Sequence, residues 1–305
     1  MRRAAFILLA LSLARPARAD LTMDSNYSGN MLMWKAKTRM HEQIRNDRSR
    51  VETWSTEIVD VSEKTKHTID IVRADRHLRW ELEPDSMTYR EYPWPDTVET
   101  EPPDAEEARE RAMADSLEKR PRELPRRTGE LQTINGVPSE RFYLRVEPDS
   151  SKHGSVGRGA SELEIWSLVG KQNKEIHRLQ EVATRHSLLS HPRSEADPMS
   201  YSLADPWAGV ESIVPIRATF KLAMLDSSEV QEMKKKLQSV PPDSLEAAKA
   251  AMPTMLEDID FATGMLTMFR IDVTAIHLGR VPDDAFEIPA GYKKVFTPAR
   301  GHSPR

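Results

Sequence analysis

The chain has 305 residues, 38% of them hydrophobic, enough to bury one large core or two small ones, so disorder throughout is excluded. No cysteine occurs, which removes disulfides, thiolate metal sites, a cysteine nucleophile and an acylated lipoprotein cysteine together. With 44 basic and 48 acidic residues the net charge is −4, and a chain without clustered cation excess is a poor partner for nucleic acid.

The chain opens with Arg2-Arg3 and the uncharged, mostly apolar stretch Ala4 to Ala14. That stretch is too short for a bilayer, where about 20 residues are needed, and it has the form of a signal-peptide core. Ala17-Arg18-Ala19 places small residues at both recognition positions of a signal peptidase, so residues 1–19 are expected to be removed by cleavage before Asp20. Four arginines and no acid leave with them, which takes the charge from −4 to −8. No later run reaches transmembrane length. The expected product is an exported protein, periplasmic or secreted and not transmembrane, with one domain over residues 20–296 and a disordered tail at 297–305.

Met31, Met33 and Trp34 form a soft apolar patch early in the mature chain. His67 to Val72 and His77 to Glu83 then read as strands, the second with Leu78, Trp80 and Leu82 on one side and Arg79, Glu81 and Glu83 on the other. Asp104 and Glu107 have capping-box spacing and open a charged helical insertion near 103–120. Arg141 to Glu147 returns to period two, with Phe142, Leu144 and Val146 opposed to charged neighbours. A Gly/Ser-rich tip over 150–160 leads to Leu163 and Ile165, which alternate with Glu162, Glu164 and Trp166.

Lys174 to Ala183 suits a helix through Ile176, Leu179 and Val182, although a strand neighbour could override that. His186 to Gly209 is rich in Ser, Pro and Asp and reads as a long loop. Ile216 to Leu222 and Phe269 to Ala275, with Phe269, Ile271 and Val273 on one side, are strands again. Between them a second helical insertion is expected near 226–260, with Leu245, Ala248, Met252, Met255, Leu256 and Ile259 at helical spacing.

No motif carries recognisable catalysis. Gly154, Gly157 and Gly159 fit neither a dinucleotide nor a P-loop pattern, and no Lys-Ser/Thr follows them. His41-Glu42 begins like a zinc-protease helix, but Arg45 stands where the second histidine belongs. His186, His191 and Asp197 lack regular ligand spacing and read as solvated polar groups. No G-x-S-x-G elbow occurs. The chain is therefore read as a non-enzyme without metal or cofactor.

Three sets of residues resemble one family. Ile71 to Pro93 has the pattern of Arg73 and Asp75 on a strand, a Glu83-Pro84-Asp85 turn, and Thr88, Tyr89 and Glu91 on a third strand. Asn135-Gly136 precedes Phe142 to Val146 and then Glu164-Ile165-Trp166, and the chain closes on Phe286-Glu287-Ile288-Pro289-Ala290-Gly291-Tyr292. Together these are similar to an exported bacterial domain family related to the LolA/LolB lipoprotein-carrier superfamily. The resemblance implies an α+β fold, an incomplete antiparallel β-barrel with helices covering the open face. It also implies an apolar cavity.

The residues themselves suit a cavity and an ordinary core alike. On the cavity reading, Met31, Met33, Trp34, Leu78, Trp80, Leu82, Phe142, Leu144, Trp166, Met252, Met255, Phe269 and Ile271 would hold a hydrophobic ligand: a lipid, an acyl chain or a lipoprotein's acyl chain. The alternative is an envelope-assembly module that binds a protein partner through the long loop and the acidic helix. Arg73 and Asp75 read as a surface or edge pair, Asn135-Gly136 as a hairpin turn.

Overall fold

The computed structural model describes residues 19–31, 34–59, 62–95, 124–147, 160–190, 213–223, 235, 259–260 and 263–296. The expected signal segment, the insertion at 103–120, the tip and the tail lie outside these residues. So does the insertion near 226–260, except for Lys235, which is helical, and Ile259–Asp260, which is a strand.

The first third of the described chain is a meander of four long strands, β1 (Asp20–Met31), β2 (Trp34–Arg45), β3 (Arg48–Val59) and β4 (Ser62–Arg73). It continues through β5 (Leu78–Glu83) and β6 (Thr88–Pro93). The second half supplies β7 (Arg126–Ile134), β8 (Val137–Val146), β9 (Ser161–Leu168), β10 (Pro215–Ala223), β11 (Ile259–Asp260), β12 (Met265–Gly279) and β13 (Lys293–Lys294). All join one sheet in the order β13-β6-β5-β4-β3-β2-β1-β12-β10-β9-β8-β7, with β11 alongside β12. Pairing is antiparallel except at β13, which runs parallel to β6.

The sheet does not close. Apart from the single helical residue Lys235, one α-helix occurs among the described residues, α1 (Asn173–Ser190), and it lies against β1 and β2. This overturns the expectation of an α+β, LolA/LolB-like incomplete barrel with helices covering its open face: the architecture is strand-dominated and its sheet is open. The expectation failed mainly over residues 34–66. There Thr, Ser, Glu and Lys stand on both sides of the strands, so no clean alternation marks them, and cross-strand neighbours rather than local pattern decide the outcome. His41 and Glu42, met as a possible helix pair, are on strand β2.

The 174–183 ambiguity resolves as helix because Ile176, Leu179, Val182 and Ala183 share one face and meet an apolar landing site. Leu21, Met23 and Ile44 of β1 and β2 form one cluster with Ile176 and Leu179, joined by Trp166, Val214, Ile216 and Val273. Each fully buried aliphatic chain there stabilises the docking by about 1.5–3 kcal/mol. Asn135 and Gly136 both take positive φ, 50° and 81°, making the two-residue turn between β7 and β8 that the twist of a hairpin favours.

On β4 and β5 the apolar row points to the opposite side of the sheet and is covered by the C-terminal segment 281–292. Ile69, Ile71, Trp80 and Leu82 pack with Val281 and Phe286. Ion pairs hold this strap down. Arg45 reaches Asp20 at 2.9 Å, the Val281 carbonyl at 2.6 Å and Asp283, while Arg48 lies 3.6 Å from Asp283 and 3.3 Å from Asp75 of the turn after β4. Arg73 donates a bidentate pair of hydrogen bonds to Asp75, 2.8 Å at each oxygen, and also pairs with Glu287. Arg73 is 2% exposed. It is thus no surface or edge pair: the closing F-x-I-P-x-G-Y segment buries it. Its hydrogen bonds to Asp75 hold that carboxyl below the usual carboxylate range.

Candidate functional site

The face that carries α1 is apolar across β8, β9, β10 and β12. Register places Phe142 beside Ile165, Leu144 beside Leu163, Ala218 beside Ile271 and Phe220 beside Phe269. Phe142, Leu163, Ile165, Ile213 and Ala218 are buried, and Leu144, Phe220, Phe269 and Ile271 pack on them half-buried. The Phe220 and Phe269 rings stack with centroids 5.6 Å apart. The patch continues onto β1, where Tyr27 stands opposite Ile271 and Ser25 opposite Val273.

Beside this patch the same face buries polar groups. Ser25 is paired with Met40 and Glu42 with Met23 across β1 and β2, so the two polar side chains share one side, one step apart. Ser25 is fully buried, and its hydroxyl makes no well-formed hydrogen bond to a described residue, although it lies near enough to the Tyr27 hydroxyl to interact with it. Glu42 is 8% exposed, and no hydrogen bond or ion pair joins its carboxyl to a described residue. Burial pushes that carboxyl up to about 7. Burial, followed by the nearby Glu42 charge, raises Tyr27 as well.

Among the described residues the immediate neighbours of Glu42 offer no cation. Val51 of β3 lies opposite Glu42, with Ser49 and Thr53 along the same side. From α1, Gln180 reaches the Met23 sulfur at 3.6 Å and His186 bonds the Ser49 hydroxyl at 2.9 Å. Burial holds His186 down at about 4, so it is neutral above that.

The reverse face of the same strands is charged. A cavity of about 440 Å³ there is lined by Arg141, Tyr143, Glu162, Glu164, Arg217, Thr219, Lys221, Thr267 and Arg270. Arg141 pairs with Glu164 at 2.6 Å, Arg217 with Asp272 at 2.6 Å and Arg270 with Asp272 at 2.5 Å. Further along, Arg39 lies over the Trp54 ring, which stacks on His67 at 4.8 Å.

The structure distributes the expected ligand-binding residues among separate clusters. Phe142, Leu144, Phe269 and Ile271 come together in the aromatic patch. Leu78, Trp80 and Leu82 lie on the other side of the sheet under the strap, with Trp80 5% and Leu82 0% exposed. Trp166 is buried in the cluster beneath α1. The side chains of Met31, Met33 and Trp34, and all of Met252 and Met255, lie outside the described residues. Sequence reasoning missed Ser25, Tyr27, Glu42 and Phe220. The alternation of Leu21, Met23, Ser25 and Tyr27 with Thr22, Asp24, Asn26 and Ser28 was the available signal, diluted by two polar residues on the inward side. Among the described residues no group of three or more His, Asp or Glu could hold a metal, and no helix is long and apolar enough to cross a membrane.

No family model matches the chain, and no curated protein matches it. Among solved structures it shows a likeness to the chain titled "Structure of PNGF-II in C2 space group", at 6% identity and a TM-score of 0.26. The match covers 90% of this chain and 30% of that one. A likeness of that size carries no argument about fold or activity.

Proposed function

We propose that this is a non-enzymatic binding protein of the bacterial envelope, exported by its first 19 residues, whose sheet takes a hydrophobic ligand bearing an acyl chain. The observation that carries the reading is the row of half-buried apolar side chains, Leu144, Phe220, Phe269 and Ile271, on one face of β8, β10 and β12. Large soft side chains left partly uncovered on a sheet face suit an elongated apolar ligand. Native mass spectrometry and lipid extraction of the exported protein test it: a co-purifying acyl lipid is the expected result. A folded, lipid-free protein that takes up no fluorescent fatty acyl probe overturns it.

A second reading is an envelope-assembly module, favoured by the charged cavity around Arg217, Lys221 and Arg270. The long loop and acidic helix first considered for that role lie outside the described residues. Reversing Lys221 and Arg270 to Glu separates the two readings: loss of an acidic protein partner with lipid uptake intact supports the module.

A further inference from the structure

Face and register put two buried polar groups at the margin of the apolar patch that are poorly partnered among the described residues, Ser25 having only a loose contact with Tyr27 and Glu42 none. A buried hydroxyl and a buried carboxyl each cost free energy when nothing hydrogen-bonds them, and apolar residues in their place would remove that cost. Ser25 is nevertheless there, inward-facing on β1 between the cluster beneath α1 and the aromatic row that begins at Ile271, and Glu42 stands one strand further on, opposite Met23 at the edge of that cluster. Tyr27, adjacent on the same side of β1, adds a phenol hydroxyl to the group.

We propose that Ser25, Tyr27 and Glu42 form the polar anchor of the ligand site, receiving the neutral ester or amide group of an acyl chain whose hydrocarbon lies along Ile271, Phe269 and Phe220. This rests on the apolar-ligand reading and deepens it. The chemistry selects a neutral head. The serine and tyrosine hydroxyls donate to a carbonyl oxygen, and the carboxyl of Glu42 accepts an amide N–H when ionised or donates to the carbonyl when protonated. A free carboxylate would enter a buried site that already holds an acid and faces no cation among the described residues, so it would be desolvated without a counter-charge. The anchor therefore discriminates acylated lipids from free fatty acids.

The test uses the full mature chain with two probes of equal chain length, a fluorescent fatty N-alkyl amide and the corresponding free fatty acid, at pH 8. The wild type is expected to bind the amide at least about tenfold more tightly than the acid, the size of effect one lost buried hydrogen bond produces. Glu42→Gln keeps amide binding. Glu42→Leu weakens the amide about tenfold and leaves the acid unchanged or tighter, which abolishes the preference or reverses it; Ser25→Ala weakens the amide alone. Urea denaturation confirms that each variant is folded. Equal binding of both probes by the wild type, or unchanged amide binding by Glu42→Leu and Ser25→Ala while Phe269→Asp abolishes it, overturns the anchor and leaves the apolar-ligand reading standing. Uptake of neither probe, or binding indifferent to Phe269→Asp, overturns both.

Discussion

Glu42 and His186 are buried ionisable groups on the same face, and their burial has opposite consequences for stability. An acid held at about 7 when folded, against an ordinary 4.5, favours the folded state below pH 4.5 and loses that advantage as the pH rises through 7. A histidine held at about 4, against 6.5, contributes fully above 6.5 and loses its contribution as the pH falls toward 4. Between about 4.5 and 6.5 the two slopes oppose each other. Replacing Glu42 with Gln removes one of them. The stability of Glu42→Gln relative to wild type should therefore climb as the pH is raised from 4.5 to 7, by up to about 1.4 kcal/mol per pH unit, and level off above. Urea midpoints taken across that range measure it, and a difference that stays flat with pH would show that Glu42 titrates as an exposed acid.

The C-terminal strap is the element on which the β4–β6 half of the sheet depends. Its Phe286 is fully buried against Ile69, Ile71, Trp80 and Leu82, its backbone extends the sheet through Lys293 N–H to the Met87 carbonyl at 2.9 Å, and Lys294 reaches Glu91 at 2.7 Å. Gly291 takes φ of 95° where the strap turns into β13, and a Cβ there would meet the Met87 side chain at 3.2 Å. Truncating Phe286 to Ala leaves a cavity over the β5 row and should cost about 3–5 kcal/mol. Equilibrium urea unfolding followed by circular dichroism reads this directly; a loss below about 1 kcal/mol would mean that the strap unfolds independently of the sheet.

At the scale of the whole molecule, an open sheet has two edges to protect. One ends in β13, only two residues long. The other, among the described residues, is β7, whose pairing with β8 is interrupted between Arg127 and Leu131 and whose Gly129 takes φ of 77°. Arg126, Arg127 and Glu130 are exposed along it. A broken, charged edge resists strand addition by a second chain. Replacing Arg126, Arg127 and Glu130 with Val should produce concentration-dependent association in light scattering where the wild type shows none, and an unchanged scattering profile would show that the interruption alone blocks the edge.

Much of the strand content was legible because β5, β8 and β12 each carry one apolar and one charged side, and the Asn135-Gly136 turn announced its hairpin. The long strands β2 and β3 were not, since polar residues flank both of their sides. Arg73 could not be recognised as buried, because its partner Glu287 is 214 residues away. By itself the sequence determined which residues share a side of a strand and which chemistries the chain lacks the side chains to perform. Only the tertiary structure decided which side is covered and by what: the strap fills the row of Trp80 and Leu82, the row of Phe220 and Phe269 stays half-buried, and Glu42 is buried with no hydrogen-bond or ion-pair partner among the described residues. Alternation is a property of neighbours along the chain, whereas burial is set by segments that meet from far apart.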